Sequence, residues 1–213
     1  LARKLSRNGY PLDDKPRVRL AVLGSTSLQH FVMILRAVLY ERGIYADIYE
    51  GEYNGINMDV YNEDSAFYQF KPEYVLILTH YLDVKEYPQW VDYEAAESIC
   101  NNVVDYYKNL WELISRCLPE AKILQSNFAV PPEHLLGNME RLVAYSRSSF
   151  LERINKELVS ASGMQVSVVD LDLLSGYKGK ENWFDYAAYF LNKAGCRLDY
   201  LPDALELLKS DFP

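Results

Sequence analysis

Three hydroxyl side chains follow the first strongly apolar segment of the chain, in the run Gly24-Ser25-Thr26-Ser27. The glycine permits a tight turn, and a helix beginning near Leu28 would offer free backbone N–H groups to an anion or an oxyanion. A hydroxyl in such a turn could bind a ligand, attack a carbonyl carbon or simply cap the helix. We therefore take Thr26 and Ser27 as candidate catalytic residues, and Gly24 and Ser25 as candidate ligand-binding residues.

The same run excludes two common nucleotide sites. A dinucleotide fingerprint needs GxGxxG, and a Walker loop needs a Gly-Lys-Ser/Thr, but neither pattern is present after this segment. Flavodoxin-like nucleotide binding is a weaker hypothesis, because the first loop lacks a phosphate cradle flanked by aromatic walls for an isoalloxazine ring, and no cofactor is expected.

Three further polar side chains follow later apolar segments. His80, in Thr79-His80-Tyr81, could act as an acid, a base or a hydrogen-bond donor, although a surface histidine without a catalytic role is commoner. Asn127 precedes two prolines and could orient a ligand or bond its own backbone. Asp185 lies in the last loop region and could return to the first loop. We therefore expect Asn127 and Asp185 to be ligand-binding residues.

The segment Asp170-Leu171-Asp172 is similar to the DxDxT start of a HAD phosphatase. Leu174 stands where the threonine of that motif would be, so we interpret the segment as a strand cap.

Alternating apolar segments and helical patterns predict the elements that position these residues. Strands are expected to begin near Val18, Ala46, Tyr74, Ala121 and Val166, and residues 28–42, 90–118 and 149–161 repeat apolar side chains at helical spacing. A loop is expected over residues 51–72, and alternating helix and loop over 183–208. This pattern predicts a three-layer, doubly wound α/β domain of the flavodoxin-like or SGNH-hydrolase-like kind, with a mainly parallel sheet in the order 2-1-3-4-5.

The predicted topology also predicts where a ligand would bind. Doubly wound folds bind ligands outside the carboxyl ends of their strands. We therefore expect the loop 24–27, His80, Asn127 and Asp185 to line one crevice.

Composition favours a single domain. The 213 residues are 49% hydrophobic and 24% charged, as in an ordinary globular protein. Residues 1–17 are polar, contain Pro11 and Pro16 and lack periodicity, so we expect them to be a lead-in segment, followed by one domain over residues 18–213. Because the chain begins with Leu1 and not with methionine, we expect it to be part of a longer protein.

The net charge and the length of the apolar runs argue against several other classes of protein. The net charge of −8 disfavours nucleic acid as a partner, since binding requires neutralisation of phosphates. No apolar run approaches the roughly 20 residues of a membrane span, and no signal peptide is present at the start, so a cytoplasmic protein is expected. The three cysteines and three histidines lack the spacing of a metal site, and no metal is expected.

Four segments together carry a resemblance to a known family: RVRLAVLGSTSLQHF, GEYNGINMDVYNEDSAFYQFKPEYVLIL, QSNFAVPPEHLLGNME and LERINKELVSASGMQVSVVDLDLL. In their order and spacing they resemble the N-terminal domain of FkbH-like proteins, the HAD-superfamily IIIC group of polyketide and surface-polysaccharide clusters, over almost all of residues 18–190. The resemblance implies an SGNH-hydrolase-like domain. It also implies a downstream HAD domain, with an intact DxDxT motif, that transfers a glyceryl unit from a phosphorylated three-carbon donor to an acyl carrier protein.

The chain departs from the hydrolase pattern at several positions. Where an SGNH hydrolase has Gly-Asp-Ser, this chain has Ser25 in place of the acid and Thr26 in place of the nucleophile. Where the hydrolase has Asp-x-x-His, Asp185 is followed by Ala188, and no histidine occurs after His134. The Gly-x-Asn-Asp of the third strand is also missing.

Two functions follow from this comparison. The first is a non-catalytic domain that supports a HAD-type glyceryl or acyl transferase and has that HAD domain and an acyl carrier protein as partners. The alternative is an active esterase or acyltransferase in which His80 activates Thr26 or Ser27.

Overall fold

A five-stranded parallel sheet forms the centre of the protein, in a computed structural model that describes residues 16–88, 93–200 and 202. The strand order is β2-β1-β3-β4-β5, and each neighbouring pair is parallel. The strands are β1 (Arg17–Gly24), β2 (Tyr45–Glu50), β3 (Tyr74–Leu78), β4 (Lys122–Ser126) and β5 (Val166–Val169). The predicted fold class and strand order are confirmed, and each strand begins within one residue of its predicted start.

Burial explains why the strands are nearly continuous apolar runs. Residues 20–23 of β1 and 75–77 of β3 are completely buried, because helices cover both faces of the sheet. The hydrophobic core therefore extends through both layers between the sheet and its helices.

Eight helices flank the sheet in the described part of the chain. They are α1 (Gln29–Glu41), α2 (Ile56–Val60), α3 (Ala66–Phe70), α4 (Tyr93–Cys117), α5 (Arg147–Ala161), α6 (Leu171–Lys178), α7 (Lys180–Trp183) and α8 (Tyr186–Asn192), with short 3₁₀ turns at Tyr81–Asp83, Gly137–Met139 and Leu198–Tyr200. Gly43, with a φ of +84°, ends the first helix close to the predicted position.

The connection from β2 to β3 differs from the predicted loop, because it contains the short helices α2 and α3. The Ser65 hydroxyl accepts a hydrogen bond from the Tyr68 amide and caps α3, and Lys71 ends that helix in the left-handed conformation. Val60 and Phe67 are buried against the core. Each helix has only five residues, too short for helical periodicity to be recognised in the sequence.

Three predictions fall on parts of the chain outside this description. They concern residues 1–15 of the lead-in predicted over 1–17, the start of the long helix at 90–92, and residues 201 and 203–208 of the predicted tail. The lead-in ends earlier than predicted, because Arg17 already belongs to β1. Among the described residues, no helix is long and apolar enough to cross a membrane. The same residues contain no group of three His, Cys, Asp or Glu side chains that could hold a metal ion.

Candidate functional site

The loop after β1 lies beneath a later segment of the chain. Leu28 is the N-cap of α1, and no side chain among the described residues caps that helix, so the interpretation of Thr26 or Ser27 as a cap is wrong. Instead, the Ser27 amide donates to the Lys193 carbonyl over 2.8 Å, and a Cβ at Gly195 would lie 3.2 Å from the Thr26 Oγ1. Thr26 is only 8% exposed. The segment 193–196 therefore covers the first loop.

Gly24 is required by close packing at the start of this loop. A Cβ at this position would lie 3.0 Å from a methyl group of Leu28 and 3.3 Å from the Leu78 carbonyl oxygen. A side chain here would push β1 and β3 apart, so the glycine has a structural role whether or not a ligand binds nearby.

His80 is buried, which corrects the expectation of a surface histidine. Its Nδ1 accepts a hydrogen bond from the Leu82 amide at 3.3 Å, and its own amide donates to the Asp83 carboxylate at 2.8 Å. These two bonds form a capping box for the turn Tyr81–Asp83. The imidazole is also packed face to face with the Tyr189 ring.

These contacts determine the protonation of the imidazole. Burial, with a smaller contribution from the Lys85 charge, lowers the pKa of His80 to about 4, so the ring is neutral at pH 7. Because Nδ1 accepts the Leu82 amide, the single ring proton belongs on Nε2. In the described part of the chain, no hydrogen bond joins His80 to Thr26 or Ser27. The ring is therefore a donor through Nε2 and has no free lone pair to act as a base.

Thr26, Ser27 and His80 nevertheless line one cavity of about 70 Å³. Most of its other lining is apolar and comes from both layers and from the late helices, including Leu28, Phe31, Leu76, Leu78, Trp183 and Phe184. His30, an exposed residue of α1, lies at the same cavity and makes no hydrogen bond to Thr26 or Ser27 within the described residues. The three candidate catalytic residues are thus brought together, but around an apolar space.

Asp185 forms the N-cap of α8. Its carboxylate accepts a hydrogen bond from the Ala188 amide at 2.9 Å, so the residue three positions after the acid contributes only its backbone. Asp185 and His80 both line a smaller cavity beside α8. The acid therefore returns to the vicinity of His80, where its carboxylate is used to begin a helix.

The side chain of Asn127 forms hydrogen bonds with two residues that follow β5, Asp170 and Asp172. Its amide nitrogen donates to Asp170 at 2.8 Å and its amide oxygen accepts from the Asp172 amide at 3.0 Å, so the interpretation that it bonds its own backbone is wrong. The Asp170 carboxylate also caps α6 by accepting from the Leu173 amide. Asn127 lies outside the cavity lined by Thr26 and His80, and it connects the ends of β4 and β5.

Ser25 is directed to the other side of the loop. With Asn54, Asn57, Asp83 and Tyr106 it lines a second, polar cavity of about 480 Å³. The side chains expected in one crevice are thus divided, with Ser25 in the polar cavity and Thr26, Ser27 and His80 in the apolar one. Sequence reasoning missed Asn54, Asn57 and Asp83, although all three follow strands at the carboxyl edge and could have been found by that rule.

Asp83 is an acidic residue that lines the polar cavity. Burial raises the pKa of its carboxyl group, and the nearby Ser25 hydroxyl, the His80 amide and the Lys85 charge each offset part of that rise. The Ser25 Oγ is itself buried and makes no hydrogen bond of normal geometry.

Solved structures of several proteins share this fold. The N-terminal part of a Bacteroides fragilis protein containing a phosphatase domain, complexed with Mg, matches with a TM-score of 0.80 and 22% identity over 97% of this chain and 54% of that chain. A lipase from a goat rumen metagenome matches with a TM-score of 0.64 and 12% identity over 91% and 96% of the two chains. A lipase/acylhydrolase from Enterococcus faecalis matches with a TM-score of 0.52 and 13% identity over 92% and 97%.

These likenesses show an SGNH-hydrolase-like fold. This chain spans about half the length of the Bacteroides fragilis chain, at 54%. A search of the curated protein sequences finds no match. The family model described as "FkbH, N-terminal domain" matches residues 19–207, and the chain therefore belongs to the family of FkbH N-terminal domains.

Proposed function

We propose that this domain is a non-catalytic SGNH-like scaffold that assists a HAD-type transferase. The transferase moves a glyceryl or acyl unit to an acyl carrier protein, in polyketide or polysaccharide biosynthesis. The domain contributes by packing against the HAD domain or by holding the carrier protein.

The observation that carries the proposal is the contact between Asp185 and Ala188. The acid of an Asp-x-x-His pair orients and charges the histidine that activates the nucleophile. Here Asp185 accepts a bond from the backbone amide of Ala188, and the position of the base holds a methyl group. His80 does not replace that base, because its Nδ1 is already an acceptor and its remaining nitrogen carries the proton.

The covered loop supports the same proposal. A tetrahedral intermediate on Thr26 would require a substrate carbonyl beside its Oγ1, where the backbone of Gly195 already packs. The hydrogen bond from Ser27 to Lys193 would have to break before that segment could move away.

Exposed apolar side chains favour a packed partner domain. Phe190 and Leu191 of α8 are 72% and 86% exposed, and Leu135 and Leu142 in the loop after β4 are also exposed. The Tyr186 hydroxyl donates to Glu133, which brings the start of α8 beside the start of that loop. Apolar surface of this kind is typical of an interaction site. The solved relative from Bacteroides fragilis, which contains a phosphatase domain, supports a HAD domain as the occupant.

The first test is hydrolysis of short-chain p-nitrophenyl esters by the purified chain and by its Thr26→Ala and His80→Ala variants. We expect all three to remain at the background rate, since a positioned base is worth roughly a hundred- to ten-thousand-fold and none of the described residues is hydrogen-bonded to Thr26 or Ser27 as a base. Robust hydrolysis that both substitutions abolish would establish the esterase and overturn the proposal.

The second test is loading of an acyl carrier protein by the full-length protein. Phe190→Ser with Leu191→Ser should lower the loading rate, and the matched control Val159→Ser, an exposed apolar residue of α5, should leave it unchanged. Equal rates for both variants would argue against a supporting interface on α8.

A further inference from the structure

The polar cavity lies at the switch point of the sheet. In the order β2-β1-β3-β4-β5 the chain leaves β1 toward β2 and later crosses back to β3, so the loops after β1 and β3 diverge. Ser25 follows β1 and Asp83 lies in the turn after β3, and both line the cavity. One side of α4, with Val103 and Tyr106, closes it. Its volume of about 480 Å³ is within the range of small-molecule sites.

The Asp83 carboxyl is a hydrogen-bond acceptor in the lining of this cavity. It already accepts the His80 amide and retains further acceptor capacity for a ligand hydroxyl. The neighbouring Ser25 hydroxyl lowers the pKa of Asp83, and its Oγ is buried away from solvent.

The charges around the cavity argue against an anionic ligand. Asp83 and Glu86 are acidic, and Lys85 is the one basic residue among the described residues that line the cavity. The Lys85 ammonium donates to the Leu82 carbonyl at 2.9 Å, so part of its hydrogen-bonding capacity is used within the protein. A phosphate or carboxylate would therefore meet acids without a dedicated cation.

The rim is rich in neutral amides. Asn54 and Asn57 are exposed at its edge, and the Tyr106 hydroxyl donates to the Asn57 amide oxygen at 2.8 Å. That bond orients the amide and leaves its two N–H donors for a ligand. Val103 and the Tyr106 ring offer apolar surface beside these groups.

We propose that this cavity binds a neutral polyhydroxylated ligand of sugar or polyol type. Each hydroxyl of such a ligand is both a donor and an acceptor, which matches the N–H donors of Asn57 and the carboxyl acceptor of Asp83, and its C–H surface packs on Val103 and Tyr106. The inference is independent of the transferase role, because it concerns binding at a part of the domain that the transferase proposal does not use.

The test is ligand-observed NMR and calorimetry on the purified chain. The neutral probes are glycerol, meso-inositol, the methyl glycosides of glucose, galactose and mannose, and N-acetylglucosamine. The anionic probes are inorganic phosphate and glycerol 3-phosphate. We expect saturable binding of at least one neutral probe and weaker or no binding of the anions.

A substitution in the cavity lining tests whether the probes bind in this cavity. Asn57→Ala should weaken it about three- to tenfold, the effect of one neutral hydrogen bond. The matched control Asn101→Ala, an exposed amide on α4 outside the cavity lining, should bind as the wild type does.

Three results would overturn the proposal: no saturable binding across the whole neutral panel, tighter binding of phosphate than of any polyol, or neutral binding that Asn57→Ala leaves unchanged.

Discussion

The imidazole of His80 stacks on the ring of Tyr189, with centroids 4.7 Å apart and planes within 7°. This contact joins the end of β3 to α8, two elements more than 100 positions apart in sequence. Together with the bond from Ser27 to Lys193, it holds the late helices over the carboxyl edge of the sheet. The burial of His80 depends on this packing, and so does its low pKa.

The first prediction concerns pH. The pKa of His80 is about 4 in the folded protein, against an ordinary value of 6.5, so the unfolded chain binds this proton more tightly. The stability from this residue is therefore complete above pH 6.5 and is lost as pH falls toward 4, by on the order of 2 to 3 kcal/mol. In His80→Asn, which keeps a capping acceptor but cannot titrate, the free energy of unfolding should fall less over that range. Urea unfolding at several pH values measures this free energy. The same dependence on pH in the wild type and in His80→Asn would contradict the burial of His80.

The second prediction concerns the contact between Gly195 and Thr26. Gly195→Ala would place a Cβ 3.2 Å from the Thr26 Oγ1 and should lower the free energy of unfolding by about 1 kcal/mol. In Thr26→Ala the nearest atom of residue 26 is its Cβ, 3.6 Å from the Cβ that Gly195→Ala introduces. The loss of stability caused by Gly195→Ala should therefore nearly vanish in the double variant. Gly163→Ala, which meets nothing within 4 Å, is the control and should be neutral or slightly stabilising. Additive effects at positions 26 and 195 would show that the two do not touch.

The third prediction concerns Asn127. Asn127→Asp would replace the N–H donor 2.8 Å from Asp170 by an oxygen, and two carboxylates at that distance repel. We expect a loss of about 2 kcal/mol of stability at pH 7, from the lost bond and the repulsion, and a smaller loss at pH 4. Asn101→Asp on the exposed face of α4 should change stability by less than about 0.5 kcal/mol. Chemical denaturation at the two pH values measures this, and a loss independent of pH would exclude repulsion as its cause.

The fourth prediction concerns Asn155, a buried residue of α5. Its side chain accepts from the Phe128 amide and donates to the Phe128 carbonyl, both at 2.8 Å. Asn155→Ala leaves two buried backbone groups unpaired and should cost about 2 to 4 kcal/mol. The exposed neighbour Lys156→Ala should change stability by less than about 0.5 kcal/mol. A loss below about 1 kcal/mol for Asn155→Ala would mean that water replaces both bonds.

The fold could be predicted because its determinants are local. The apolar runs that contain Leu20 to Leu23 and Val75 to Ile77 are buried on both faces, and no other environment suits such runs in a chain without membrane-length segments. Right-handed crossovers and short connections then restrict the strand order to few choices. The helices α2 and α3 escaped prediction because a five-residue helix is too short to show a periodic pattern.

By itself the sequence determined the sheet, its order and the loops at its carboxyl edge, since apolar periodicity depends on neighbours in the chain. Only the tertiary structure decided how the residues of those loops are used. Ser25 and Thr26 are adjacent and both bear hydroxyls, yet Ser25 faces the polar cavity while Thr26 lies under Gly195. The side on which each hydroxyl lies depends on the turn and on a contact from a segment about 170 positions away. Long-range packing of this kind leaves no periodic trace in the residues it positions.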